Sequence, residues 1–291
     1  MTAASGLVIV DKPPGCTSHD VVARIRRLAH TRRVGHAGTL DPMATGVLVV
    51  GVEKATRLLG HLTLTEKEYL ATIRLGQATD TGDAEGTVTA AAPAGGLSLA
   101  QVRTAAAAFT GTIQQVPPAT SAVKVDGKRA YQLARQGMAP VLAPRTVTVH
   151  ELTITDPRPV GDLLDVTAAV RCSSGTYVRG LARDLGESLG VGGHLTMLRR
   201  TRVGPYRLSA AHTLDELADG LRLIPLAEAA AAAFPVRALT AAETQSLSHG
   251  ASLSAEGATA GPVAALAPDG TLVALVQERD GAARPLAVFV P

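Results

Sequence analysis

The sequence predicts a mixed α/β protein with a large N-terminal domain and a small β-rich one behind it. Three observations carry that expectation. The chain has 291 residues, with 46% hydrophobic and only 18% charged, which is more than one domain usually needs and ample for a core. Short apolar runs of β type alternate with segments of helical period from Leu7 to Gly220. An alanine-rich run over residues 227–233 then ends at Phe234-Pro235, and only short segments follow to Val290.

Taken in order, Leu7–Val10 reads as a buried strand broken by Asp11-Lys12-Pro13-Pro14-Gly15. Thr17 or Ser18 caps a helix with Val21, Val22, Ile25, Leu28 and Ala29 on one face. Its other face carries Arg24 and Arg27, with Arg26 near the edge, and Arg32 and Arg33 follow it. A solvated face is the plain reading of those charges, yet they lead directly into the glycine-rich stretch Gly35–Gly46. The run from Gly46 to Val52 lacks alternation, as expected of a strand buried on both faces. Glu53–Leu62 reads as helical and Tyr69–Leu75 as an alternating strand. Residues 77–86, with Asp80, Asp83 and Glu85, lack EF-hand spacing and read as an ordinary loop.

Residues 90–96 read as a linker, and Ser98 with Gln101 forms a capping box for a helix over 99–109. Residues 118–146 form an excursion with the turn Asp126-Gly127 and a basic helix carrying Lys128, Arg129, Tyr131 and Arg135. It reads equally as a projecting clamp for nucleic acid or as a solvated hairpin. Arg145–Thr155 and Asp162–Cys172 pair as strands across Asp156-Pro157. A helix over 177–189 follows, with Leu181, Ala182, Leu185 and Leu189 as its buried stripe. Arg179 in its first turn stands against the positive end of the helix dipole, which predicts a carboxylate partner. A strand pair over 194–208 holds Arg199, Arg200 and Arg202, and a last helix spans 213–220.

The formal net charge is +3, divided as +5 over residues 1–234 and −2 over 235–291, so the basic surface belongs to the longer part. An anionic partner is permitted by that balance, not required. Cys16 and Cys172 have no metal-ligand spacing and read as free thiols of a reducing cytosol. No signal peptide or membrane span is expected. The eight histidines form no ligand pair with a suitable acid, and P-loop, G-x-G-x-x-G and G-x-S-x-G patterns are absent, so no metal and no cofactor is expected. Chemistry would have to use a carboxylate with basic and aromatic helpers. Asp41, locked by Pro42 and surrounded by glycines and threonines, is the candidate, although a turn capped by Asp41 explains an isolated D-P pair as well.

The segment G-H-A-G-T-L-D-P-M-A-T-G over residues 35–46 resembles the signature of the TruB family of tRNA pseudouridine-55 synthases. Further marks follow the same order: Asp11-Lys12-Pro13 with Gly15, Lys67-Glu68-Tyr69, Arg74-Leu75-Gly76-Gln77 with Thr79-Asp80-Thr81, Ser121-Ala122-Val123-Lys124, Gly175-Thr176-Tyr177-Val178-Arg179 and Leu198-Arg199-Arg200. The resemblance implies a catalytic domain over residues 1–230 built on an antiparallel-rich central sheet, with 118–146 as an RNA clamp. It also implies a PUA-like domain over 235–291.

It further implies isomerisation of a flipped-out T-loop uridine with Asp41 as nucleophile; an aspartate, ordinarily of pKa about 3.9, is ionised at neutral pH. Arg179 is expected beside Asp41, His36 in the space vacated by the nucleotide, Tyr69 stacked on the uracil and a candidate for late proton transfer, and Tyr177 and Leu198 as pocket walls. Contacts to the RNA backbone are expected from Lys12, Arg24, Arg27, Arg32, Arg33, Lys124, Lys128, Arg129, Arg199 and Arg200. The implied partner is the tRNA T arm, and the implied state a cytoplasmic monomer without cofactor. A non-catalytic tRNA-refolding protein and an Asp-dependent RNA base hydrolase are the alternatives.

Overall fold

The computed structural model describes residues 4–121, 124–125, 128–129, 142–257 and 261–290. In chain order, the elements that build the candidate site are β1 (Gly6–Lys12), α1 (Ser18–Leu28), β2 (Val34–Ala37), β3 (Thr45–Val52), β4 (Lys67–Leu75), β5 (Gly111–Gln115), β6 (Arg145–Val160), β7 (Leu163–Cys172), α2 (Val178–Ser188) and β8 (Gly193–Val203). The chain divides into two compact units, one of residues 1–42, 46–64 and 203–291, the other of residues 43–45 and 65–202.

In the first unit, β1 runs antiparallel to β3 from Gly6 opposite Val52 to Lys12 opposite Gly46. The short strand β2 lies antiparallel along β3, with His36 opposite Val50. Val47 to Val50 are all fully buried, which is why the run shows no alternation. Thr17 caps α1 in a capping box with Asp20, and Val21, Val22 and Ile25 are its buried stripe. One apolar core joins Leu7, Ile9, Val47, Val49 and Leu58 to Tyr206, Phe234, Leu272 and Phe289. Each such large side chain contributes about 1.5–3 kcal/mol on burial. The same unit holds a five-stranded sheet in the order Val236–Ala238, Pro262–Leu266, Leu272–Arg279, Ala282–Val288, Leu253–Ser254. Only its first pair is parallel.

The second unit is built on the strand order β8-β4-β7-β6-β5, antiparallel along β4, β7, β6 and β5. Several expectations are corrected here. β6 continues past Asp156-Pro157 to Val160; Asp156 at φ 48° forms a bulge within the strand, and the true turn is at Gly161, φ 60°. Overlapping the start of the expected linker, Val88–Ala91 is a strand paired with Gln77–Thr79; all four of its residues are exposed and show no alternation, so the sequence carries no sign of it. Back in the first unit, the expected helix over 53–62 is a 3-10 turn, Glu53–Arg57, followed by a short helix, Leu59–Thr63. In the excursion, Lys128–Arg129 pairs with Lys124–Val125 as a hairpin, not as the start of a helix, while Tyr131 and Arg135 lie outside the described residues. Among the described residues no helix is long and apolar enough to cross a membrane.

Candidate active site

The stretch from β2 to β3 carries His36 and Asp41, and its backbone is held on either side of the acid. Before Asp41, the Ser18 hydroxyl accepts from the Leu40 N–H at 2.9 Å and donates to the Leu40 carbonyl at 3.1 Å. After it, the Pro42 carbonyl accepts from Lys12 Nζ at 3.1 Å and from the Gly15 N–H at 3.0 Å. Gly38, just after β2, at φ 74° and Gly46, the second residue of β3, at φ 98° take left-handed conformations, where a side chain would be strained. Asp41 itself is half-buried. The His36 ring is half-buried and meets His19 of α1 edge to face, with centroids 5.6 Å apart and planes at 81°.

Lys12 is expected to face RNA and does not. It is fully buried, and its ammonium donates to the carbonyls of Pro13 at 2.9 Å and Cys16 at 2.7 Å as well as to that of Pro42. A buried ammonium is tolerable only when so satisfied, and this one holds the loop together from inside. Of the other basic residues around α1, Arg24 is half-buried, whereas Arg27, Arg32 and Arg33 are exposed; Arg33 lies 3.8 Å from Glu53.

In the second unit, Arg179 enters α2 in its first turn and is 5% exposed. Its carboxylate neighbour within that unit is Asp83, equally buried, with Nη1 and Oδ2 3.5 Å apart. Nη1 also donates to the Thr81 carbonyl at 2.7 Å and to the Thr120 hydroxyl at 2.6 Å. Asp83 is steadied in turn by the Thr81 hydroxyl at 2.7 Å and the Glu85 N–H at 3.1 Å. The loop over 77–86, which reads as ordinary in sequence, is therefore the cradle of the arginine. The start of α2 is fixed by buried Gln115, which accepts from the Tyr177 N–H at 2.8 Å and donates to the Tyr177 carbonyl at 3.0 Å.

Tyr69 is buried on β4 opposite Val170 of β7, Leu198 is buried on β8, and Tyr177 is half-buried at the cap of α2. Arg199 is half-buried and donates to the Thr45 hydroxyl at 3.2 Å. Arg200, also expected on the RNA backbone, is 1% exposed. Neighbouring residues of a strand face opposite sides of the sheet, so Arg199 and Arg200 cannot share one surface, and the second points inward. The side chains of Lys124, Lys128 and Arg129 lie outside the described residues. Burial, and next the charge of Arg200, push the Lys67 ammonium down to about 8. Burial pushes the Cys172 thiol up to about 11, so it stays protonated. Among the described residues no three metal-ligating side chains gather.

The roles of Ser18, Asp83 and Gln115 are not visible in sequence. For Asp83 a signal existed: an arginine at a helix start needs a carboxylate, and the T-D-T-x-D run supplies one.

Family models match almost the whole chain. They are the N-terminal domain of TruB family pseudouridylate synthases over residues 26–178, a tRNA pseudouridylate synthase B C-terminal domain over 179–230, and the tRNA pseudouridine synthase II C-terminal model over 234–290. A protein of Thermobifida fusca named tRNA pseudouridine synthase B is 62% identical over 98% of this chain and 99% of its own length. Among solved structures, a chain of a Cbf5-Nop10-Gar1 complex is 29% identical with a TM-score of 0.75, covering 98% of this chain and 85% of that one. A chain of an H/ACA RNP bound to a substrate RNA containing 2'-deoxyuridine is 27% identical with a TM-score of 0.73 at the same coverage. The fold and the sequence matches define a pseudouridylate synthase. More closely, the chain belongs to the TruB family.

Proposed function

We propose that the protein isomerises uridine to pseudouridine in tRNA, at position 55 of the T loop, with Asp41 as the nucleophile. The observation that carries this is the loop over residues 35–46, in which the residues directly before and after Asp41 are both pinned through their backbones. Family membership and the naming of its relative as a tRNA pseudouridine synthase support the substrate class.

The reaction breaks the N1–C1′ bond, turns the uracil and joins C5 to C1′. The C5 proton is lost and N1 gains one, with no net redox change. A carboxylate can attack C1′ or C6 of a nucleotide taken out of the loop stack. In this reading Arg179 orients Asp41, and the cradle of Asp83, Thr81 and Thr120 fixes the guanidinium for that task. Tyr69 stacks on the uracil, Tyr177 and Leu198 wall the pocket, and His36 fills the space the nucleotide leaves. Arg24, Arg27, Arg32 and Arg33 contact the RNA backbone beside the loop. Lys124, Lys128, Arg129 and Arg199 extend that contact, and residues 118–146 act as a clamp. We also infer a catalytic domain over 1–230, a PUA-like domain over 235–291 and a cytoplasmic monomer.

Nucleoside analysis of treated tRNA tests the reading. Pseudouridine with release of hydrogen from C5 supports it; free uracil would point to a base hydrolase, and bound but unmodified tRNA to a refolding protein.

A further inference from the structure

We propose that the first turn of α1 is a positioning device for the candidate loop, in which Ser18 sets the backbone ahead of Asp41 and His19 sets the ring of His36. The inference rests on the assignment of Asp41 and His36 to the reaction.

Ser18 is 1% exposed, and its one hydroxyl engages both backbone groups of Leu40, the residue directly before Asp41. A single hydrogen bond leaves a residue free to swing about it; two to the same oxygen remove that freedom. Ser18 cannot follow the loop if the loop shifts, because it is held by its own helix. The Thr17 hydroxyl accepts from the Asp20 N–H at 3.1 Å, and Asp20 accepts from the Thr17 N–H at 2.8 Å and O–H at 2.7 Å. Val21, Val22 and Ile25 anchor the helix in the core. Rigidity therefore passes from core to helix, to Ser18, to Leu40 and so to Asp41.

The helix itself requires neither side chain. Thr17 and Asp20 complete the cap, so a hydroxyl at Ser18 adds nothing to it. His19 is exposed and contributes nothing to the core, yet its ring meets His36 at a 5.6 Å separation suited to an edge-to-face pair. What the helix does not use, the loop does.

The test compares Ser18→Ala and His19→Ala with Val22→Ala, a core truncation one turn further along the same helix, under single-turnover conditions with tRNA. Binding affinity and melting temperature are measured alongside. Ser18→Ala is expected to slow isomerisation by about 10- to 100-fold, the scale of a small misplacement of a reacting group, with tRNA affinity little changed. His19→Ala is expected to slow it by about 2- to 10-fold, and His19→Phe, which keeps an aromatic ring there, to restore most of the loss. Val22→Ala should lower the melting temperature while leaving the rate near wild type. The proposal is overturned if Ser18→Ala turns over at the wild-type rate, or if Val22→Ala slows the reaction as much as Ser18→Ala does. Asp41→Asn separates the two levels: if it is inactive and Ser18→Ala is not impaired, only the brace fails. If Asp41→Asn retains activity, the assignment of the loop falls and takes the brace with it.

Discussion

Replacing Asp83 with asparagine keeps the shape of the cradle around Arg179 and removes its charge. Both partners are 5% exposed, so the pair is shielded from water and from salt. Removing one member of a buried ion pair costs about 3–5 kcal/mol. Here the guanidinium keeps its bonds to the Thr81 carbonyl and to Thr120, and asparagine can still accept from the Glu85 N–H, which places the loss at the lower end, about 3 kcal/mol. For a chain of this size that corresponds to a fall of roughly 6–12 °C in melting temperature, readable by scanning fluorimetry. On the proposed role of Arg179, an arginine released from its cradle serves the reaction less well, so the single-turnover rate should fall by about 10- to 100-fold at a temperature where the variant is fully folded. Wild-type melting together with wild-type turnover would refute the claim that Asp83 holds Arg179 for the reaction.

Other expectations follow from the same geometry. Because the Lys67 ammonium is pushed down to about 8 from its ordinary 10.5, the unfolded chain binds its proton more tightly than the folded one. Lys67 therefore weakens the fold at pH 7, and the penalty disappears as pH rises through 8 towards 10.5, so Lys67→Met should be the more stable protein at pH 7 by up to about 3 kcal/mol, with the gap closing by pH 10 in paired thermal melts. The double change Arg32→Ala and Arg33→Ala should lower the slope of log affinity for tRNA against log salt by about 2, while Lys12→Ala, which removes a buried charge, should leave that slope unchanged and lower the melting temperature. A methyl group at Gly180 would sit 2.8 Å from Gln115 Nε2 and push it off the Tyr177 backbone, so Gly180→Ala should cost about 1–3 kcal/mol in denaturant titration.

The parts of the fold that were legible in sequence are those whose burial leaves a period. The unbroken run of β3, the stripe and capping box of α1, and the alternation of β4 each announce themselves. β2 did not, because four residues that include a glycine and a histidine carry no readable period; only pairing to β3 makes them a strand. The exposed strand Val88–Ala91 leaves no period for the same reason, and the bulge at Asp156 reads as a turn in sequence because Asp-Pro serves both. At the candidate site, residue identity was legible and environment was not. The sequence offers Lys12, Arg199 and Arg200 as equal cations, but strand geometry buries the first and last. Asp83 reads as one acid in a polar loop until a helix start 96 positions later brings Arg179 to it. Ser18 reads as one of two possible caps; the structure gives the cap to Thr17 and turns Ser18 toward Leu40.

The central claim, that Asp41 attacks the flipped-out uridine, is tested most directly by treating T-arm RNA labelled at C5 of the target uridine with Asp41→Asn and measuring hydrogen release alongside binding. The account predicts no release above background with RNA affinity close to that of the wild type. Release at a rate comparable to the wild type would contradict it.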